Sequence, residues 1–157
     1  METPADFKEF CASLNAAKVE YVIVGAHSLA HHGAPRFTGD LDVLVNAQPA
    51  NAVRVYRALC DFGFEDLEGV DDKTFGQPDT IVQLDYPPVR IDIMTDLSGV
   101  SWDQVWLGRS QGDFAGLPVY YIGKRELIAN KRATGRHKDL GDVEALGSTP
   151  DDESDDR

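Results

Sequence analysis

"YVIVGAHSLAHHGAPRFTGDLDVLV", Tyr21 to Val45, is the stretch on which the fold turns. Tyr21 to Val24 is a short continuous apolar run, the pattern of a buried strand. Gly25 ends it. Residues 26–33 then predict a short helix closed by Gly33, followed by the loop "APRFTG". Asp40 to Val45 is a second strand, with two acids at its mouth. Side chains alternate along a strand, so Asp40 and Asp42 share one face while Leu41 and Val43 share the other. Carboxylates beside an apolar strand are costly unless something positive or hydrogen-bonding meets them.

The pattern continues on both sides of this unit. Upstream, residues 4–18 predict an amphipathic helix with Pro4 in its first turn. Downstream, Pro49 to Phe62 predicts a helix, and "VDDKTFGQPD" a loop with at most one helical turn. Strands over 81–84 and 89–94 bracket the turn signal "DYPP". A helical turn over 101–107, a strand over 119–122 and helices in "KRELIANKRAT" and "HKDLGDVEAL" complete the chain. No internal repeat is present. This order predicts an α/β (α+β) architecture, a small mixed sheet flanked by helices and ending in a helix pair.

The chain has 157 residues and 42% hydrophobic content, which suits one globular domain with a real core. We expect that domain to span residues 1–147, followed by an acidic, disordered tail over 148–157 that ends in "DDESDDR". The formal net charge is -12, and about -8 remains without those last seven residues. Such an acidic surface argues against extended duplex DNA binding, but not against a local basic pocket for phosphates. The polar, acidic N-terminus carries no signal-peptide pattern, and no apolar run is long enough to span a membrane. Cys11 and Cys60 fall on apolar helical stripes, as buried free thiols of a cytoplasmic protein would.

A third acid follows on a later strand, in "VRIDIMTD". Asp92 lies between Ile91 and Ile93, which alternation sends to the core side. Three carboxylates on neighbouring strands and one face repel one another unless a cation sits among them. Hard oxygen donors with few others suit Mg²⁺ or Mn²⁺. Two such ions make the clamp used for in-line phosphoryl or nucleotidyl transfer. A lone D-x-D is usually a pair of exposed strand-end acids; here the third acid and the upstream glycine turn meet the same need.

Gly25 and the residues after it open a helix, whose first N–H groups attract phosphate. Ser28 offers a hydroxyl and Arg36 a bidentate guanidinium; a plain strand-to-helix turn and a surface arginine are the bland alternatives. His27 and His31 lie four apart and His32 is adjacent, but no third ligand accompanies them. We expect these histidines to pack or to line a pocket, with no role assigned. "NKRATGRHKDLGDVEAL" gathers Lys131, Arg132, Arg136 and Lys138, followed by Asp139 and Asp142. That patch is either a triphosphate or polynucleotide-end contact or a solvated helix pair with weak salt bridges.

Taken together, these residues resemble the small bacterial nucleotidyltransferase-fold proteins of the polymerase-beta-like superfamily, particularly the DUF6036 group and relatives of the AbiEii-type toxins. The superfamily pattern is an apolar strand, a glycine turn, D-x-[DE] on the next strand and a later third acid. Gly25-Ala26, Asp40, Asp42 and Asp92 occupy those places. "HGAPRFTGDLD", "PPVRIDIMT" and "NKRATGRHKDLGD" carry the narrower likeness, which covers about residues 5–147. The superfamily turn is usually Gly-Gly or Gly-Ser. Ala26 brings no hydroxyl, which leaves Ser28 as the side-chain donor.

The resemblance implies a nucleotidyltransferase that moves an NMP from an NTP to an acceptor hydroxyl. Two Mg²⁺ or Mn²⁺ ions would sit on Asp40, Asp42 and Asp92, with Asp92 also helping to deprotonate the acceptor. Gly25, Ala26, Ser28 and Arg36 would hold phosphates. Lys131 would steady the triphosphate, with Arg136 and Asp139 beside the nucleotide. The acceptor would be a tRNA or other RNA 3′ end, a protein, or a small molecule such as an aminoglycoside, in a toxin–antitoxin setting or outside one. The alternative is a non-catalytic nucleotide-binding or regulatory protein of the same fold, one half of a toxin–antitoxin pair.

Overall fold

The computed structural model describes residues 5–35, 39–86 and 89–147. The expected acidic tail and Arg36 therefore lie outside the described residues. Helix α1 (Ala5–Ala16) leads into strand β1 (Tyr21–Val24), helix α2 (Gly25–His31), strand β2 (Asp40–Val45) and helix α3 (Pro49–Phe62). Strands β3 (Ile81–Tyr86) and β4 (Val89–Met94) follow, then helix α4 (Trp102–Leu107). Strands β5 (Ser110–Phe114) and β6 (Leu117–Tyr121) precede the terminal pair α5 (Lys124–Thr134) and α6 (His137–Gly147). The expected mixed sheet, flanking helices and C-terminal helix pair are all present.

The six strands lie in the order β3-β4-β2-β1-β6-β5. β1 and β2 are antiparallel, while β2–β4 and β1–β6 are parallel. The end of β1, the end of β6 and the starts of β2 and β4 therefore share one edge of the sheet. Alternation divides the apolar residues between two layers. Tyr21, Ile23, Leu41, Val43, Ile91 and Ile93 pack beneath α1 and α3, against Phe7, Phe10, Leu14, Val55 and Leu59. Val22, Val24 and Leu44 face the other layer, which holds Leu29 of α2, Val105 of α4, Leu127 of α5 and Leu146 of α6. Asp40, Asp42 and Asp92 have the parity of Leu44 and Met94, so they open toward this second layer.

Local signals account for most element ends. α3 begins with Pro49, where the missing N–H is harmless. Buried Asn51 ties α3 to the sheet: its side chain accepts from the Glu20 N–H and donates to the carbonyls of Glu20 and Asn46. α4, expected only as a turn, is a helix capped by Ser101 and Gln104, each side chain bonding the other's backbone N–H.

β5 is the strand that sequence reading missed. Its residues are polar except Phe114, and it lies at the sheet edge, where alternation need not show. The two residues between Phe114 and its partner Leu117, Ala115 and Gly116, both have positive φ, at 53° and 90°. That is the two-residue hairpin turn, and "AG" is a fainter signal for it than "NG". Cys11 is buried and Cys60 half-buried, and both are free thiols. Burial pushes the Cys11 thiol up to about 12. Among the described residues no helix is long and apolar enough to cross a membrane.

Candidate active site

Asp42 of β2 stands directly opposite Asp92 of β4, and Asp40 opposite Arg90, in the parallel register between the two strands. The three carboxylates expected on one face do share it. Asp92 is buried, while the side chains of Asp40 and Arg90 are each 40% exposed. The Arg90 guanidinium lies between two of the acids. Its Nη2 is 3.2 Å from Asp40 Oδ2 and its Nε 3.2 Å from Asp92 Oδ1, and Nη2 also donates to Asp92 Oδ2 at 3.3 Å.

Burial raises the Asp42 carboxyl to about 7, and the charges of Asp92 and Asp40 push in the same direction against Arg90. Burial also raises Asp92, although Arg90 pulls it back down. Facing carboxyls raised in this way titrate as a pair.

Gly25 is required twice. Its φ is +69°, a conformation that L side chains rarely adopt, and a Cβ there would collide with the Asp42 carboxylate. Gly25→Ala is therefore expected to destabilise the protein by about 1–3 kcal/mol and to push Asp42 off its register with Asp92. Chemical denaturation measures the first effect. An unchanged midpoint would show that the turn tolerates the methyl.

The neighbouring residues have partners of their own. Ser28 is fully buried, and its hydroxyl donates to the Gly25 carbonyl at 2.6 Å, so it braces the turn. The histidines do not converge. His27 lies edge-on between Phe7 and Phe114, with ring centroids 5.7 and 5.3 Å away and Nε2 buried without a hydrogen bond. Burial lowers its pKa, opposed by the backbone of Asp40, so the ring is a neutral packing element. His31 stacks on Tyr121 at 4.1 Å and meets Ser110 Oγ at 2.9 Å. His32 bonds the Ile122 carbonyl at 2.7 Å.

The C-terminal motif forms a cluster of its own between α5 and α6. Asp139 is fully buried. It accepts from Thr134 Oγ1 and Arg136 Nε, both at 2.7 Å, and from Lys131 Nζ at 3.4 Å. Lys131 Nζ also lies 3.2 Å from Asp142. Burial would raise the Asp139 carboxyl, but its bonds to Arg136, Thr134 and Lys131 outweigh this and hold it well below the usual carboxylate range. Lys131, Arg136 and Asp139, expected beside a nucleotide, are thus engaged with one another.

Arg90 is the site residue that sequence reading overlooked. It lies two residues before Asp92, so alternation alone put it on the acids' face. The donor set of Asp40, Asp42 and Asp92, hard carboxylate oxygens, suits Mg²⁺ or Mn²⁺. Two observations agree with that fit: Asp92 Oδ1 is buried without a hydrogen bond, and the bare Gly25 leaves the Asp42 carboxylate its space. As they stand, no three acidic, histidine or cysteine side chains among the described residues are grouped to chelate an ion. The cation seated between Asp40 and Asp92 is Arg90.

A six-stranded mixed sheet with this edge and these flanking helices is the fold of the nucleotidyltransferases. It is similar to TM1012 of Thermotoga maritima, a candidate nucleotidyltransferase, at 16% identity and TM-score 0.55 over 90% of this chain and 86% of that one. It is similar to an antigenic nucleotidyltransferase-like protein of Paracoccidioides brasiliensis at 19% identity and TM-score 0.52, over 90% and 74% of the two chains. It also matches the lincosamide antibiotic adenylyltransferase LnuA, solved with lincomycin bound, at 14% identity and TM-score 0.56, over 93% and 97%. At these identities the likeness is one of fold. No protein-family profile matches the chain, and no curated protein is close enough in sequence to count as a relative.

Proposed function

We propose that this protein is a divalent-cation-dependent nucleotidyltransferase that moves an NMP from an NTP to an acceptor hydroxyl. The observation that carries the reading is the Asp42–Asp92 pair, opposite each other in register with Asp40 one pleat away and Gly25 bare above Asp42. Asp40, Asp42 and Asp92 would hold Mg²⁺ or Mn²⁺, up to two ions. Bound there, the cations supply charge neutralisation on the triphosphate.

The chain's own residues perform the remaining steps. The backbone N–H groups at Gly25 and Ala26 would meet a phosphate at the mouth of α2, with Arg36 as a further candidate contact and Lys131 as another if it is released from Asp139 and Asp142. The acceptor hydroxyl oxygen forms its bond to the α-phosphorus while the bond to the bridging oxygen breaks, and pyrophosphate leaves. The hydroxyl proton would pass to the Asp92 carboxylate, which must be deprotonated beforehand. The fold likeness to LnuA, an adenylyltransferase of a small antibiotic, supports a small-molecule acceptor, beside an RNA 3′ end or a protein. A toxin–antitoxin setting is supported only by the motif resemblance to the DUF6036 and AbiEii-like proteins.

One observation favours the second reading, a non-catalytic nucleotide-binding or regulatory protein of this fold. Arg90 already neutralises part of the acidic site. One experiment separates the two. The protein is incubated with Mg²⁺ or Mn²⁺, each α-labelled NTP, total RNA, lysate protein and a set of hydroxylated small molecules. Label transferred by the parent and lost in Asp42→Asn supports the enzyme. Nucleotide binding with no transfer to any acceptor supports the regulatory protein and sinks the enzyme.

A further inference from the structure

We infer that Arg90 is a resident counter-cation of the carboxylate site, which a divalent ion must displace from Asp40 and Asp92 in order to bind. The inference rests on the metal-dependent reading above and assigns Arg90 the role of setting the affinity for the ion.

Three features carry it. The first is position: among the described residues Arg90 is the cation in contact with both Asp40 and Asp92, each at 3.2 Å. An ion bridging those acids would need the same oxygens. The second is the quality of the pairing. Arg90 Nη2 donates to Asp92 Oδ2 at 3.3 Å, but Nε and Asp92 Oδ1, 3.2 Å apart, make no hydrogen bond, so the fork is only half engaged. A charge-assisted pair with aligned bonds is shorter and stronger.

The same chain shows what an aligned pair looks like. Arg136 Nε meets Asp139 Oδ2 at 2.7 Å, and the carboxylate is closed off by Thr134 and Lys131. One arginine is locked onto its acid; the other is held loosely. The third feature is an exit. The Arg90 side chain is 40% exposed, so its guanidinium can reach water by rotation about its own stem, without any shift of β4. An arginine that leaves without disturbing the sheet ceases to compete with a cation for the oxygens of Asp40 and Asp92.

The test reads metal affinity without nucleotide, so it does not depend on activity. Mn²⁺ is titrated into the full chain near pH 8 and followed by electron paramagnetic resonance, for the parent, Arg90→Gln, Arg90→Lys and Asp42→Asn. Removing the competing cation is expected to tighten Mn²⁺ binding about tenfold in Arg90→Gln. Arg90→Lys, which keeps the charge but lacks the fork that spans two acids, is expected to fall between the two. Asp42→Asn is expected to lose binding. Equal or weaker Mn²⁺ affinity in Arg90→Gln, with binding still abolished in Asp42→Asn, overturns the role of Arg90 and leaves the metal site standing. No Mn²⁺ bound by any variant overturns both readings. Should Arg90→Gln fail to fold, Arg90→Lys carries the test, and an affinity equal to that of the parent overturns the proposal.

Discussion

Asp42→Asn is expected to abolish nucleotidyl transfer and, without metal near pH 8, to melt at a higher temperature than the parent. The two effects share a cause. Burial, Asp92 and Asp40 raise the Asp42 carboxyl to about 7 in the folded protein, against 3.8 for the free group. Between those values the folded chain binds a proton that the unfolded chain has released. Stability therefore falls as pH rises through that window, and the whole penalty is present above about 7. Asparagine keeps the shape and has no charge to bury.

A shift of this size corresponds to about 2–4 kcal/mol, or a melting rise on the order of 5–10 °C for a domain of this length. Loss of the carboxylate should slow transfer by about three orders of magnitude. Calorimetry in chelator near pH 5 and pH 8 checks the stability effect, which should be clearly smaller at the lower pH. A variant that melts lower than the parent at both would mean that Asp42 is a supporting residue of the fold.

Asp139→Ala should have the opposite sign and a comparable size. The Asp139 carboxylate is fully buried and bonded to Thr134, Arg136 and Lys131. Its removal leaves Lys131, whose side chain is 12% exposed, with Asp142 as the acid that remains in contact. Breaking a buried ion pair from one side costs about 3–5 kcal/mol. The α5–α6 pair should loosen first, with faster hydrogen exchange in both helices. An unchanged melting temperature would show that the cluster contributes nothing to folding. Because the Asp139 carboxyl is depressed, its contribution is present above the ordinary carboxylate range and is lost on acidification.

The site's framework was legible because strand parity is a strict rule. Once "DLDVLV" and "VRIDIM" are read as strands, Asp40, Asp42 and Asp92 must share a face. The same rule puts Arg90 there, but a sequence does not reveal which charges on a face touch. Contact partners follow from packing, which parity does not reveal. Ser28 was expected at a phosphate, yet the bend at Gly25 brings the Gly25 carbonyl within its reach. Lys131, Arg136 and Asp139 read as a nucleotide patch, yet the close approach of α5 and α6 folds them onto one another. His27 and His31 have the spacing of a shared helix face, but α2 spans only Gly25–His31, and its ends enter different surroundings. β5 was missed for an energetic reason: a polar edge strand needs no apolar alternation, and its evidence lies in the hairpin turn with β6.

The most direct test of the central claim is an anomalous-difference map of the protein crystallised with Mn²⁺ and an NTP whose α,β bridge cannot be cleaved. The expected map has Mn²⁺ peaks against Asp40, Asp42 and Asp92, the triphosphate at the Gly25 turn, and Arg90 withdrawn from Asp40 and Asp92. Nucleotide bound elsewhere, with Arg90 still seated on both acids and no peak among the three carboxylates, would contradict it.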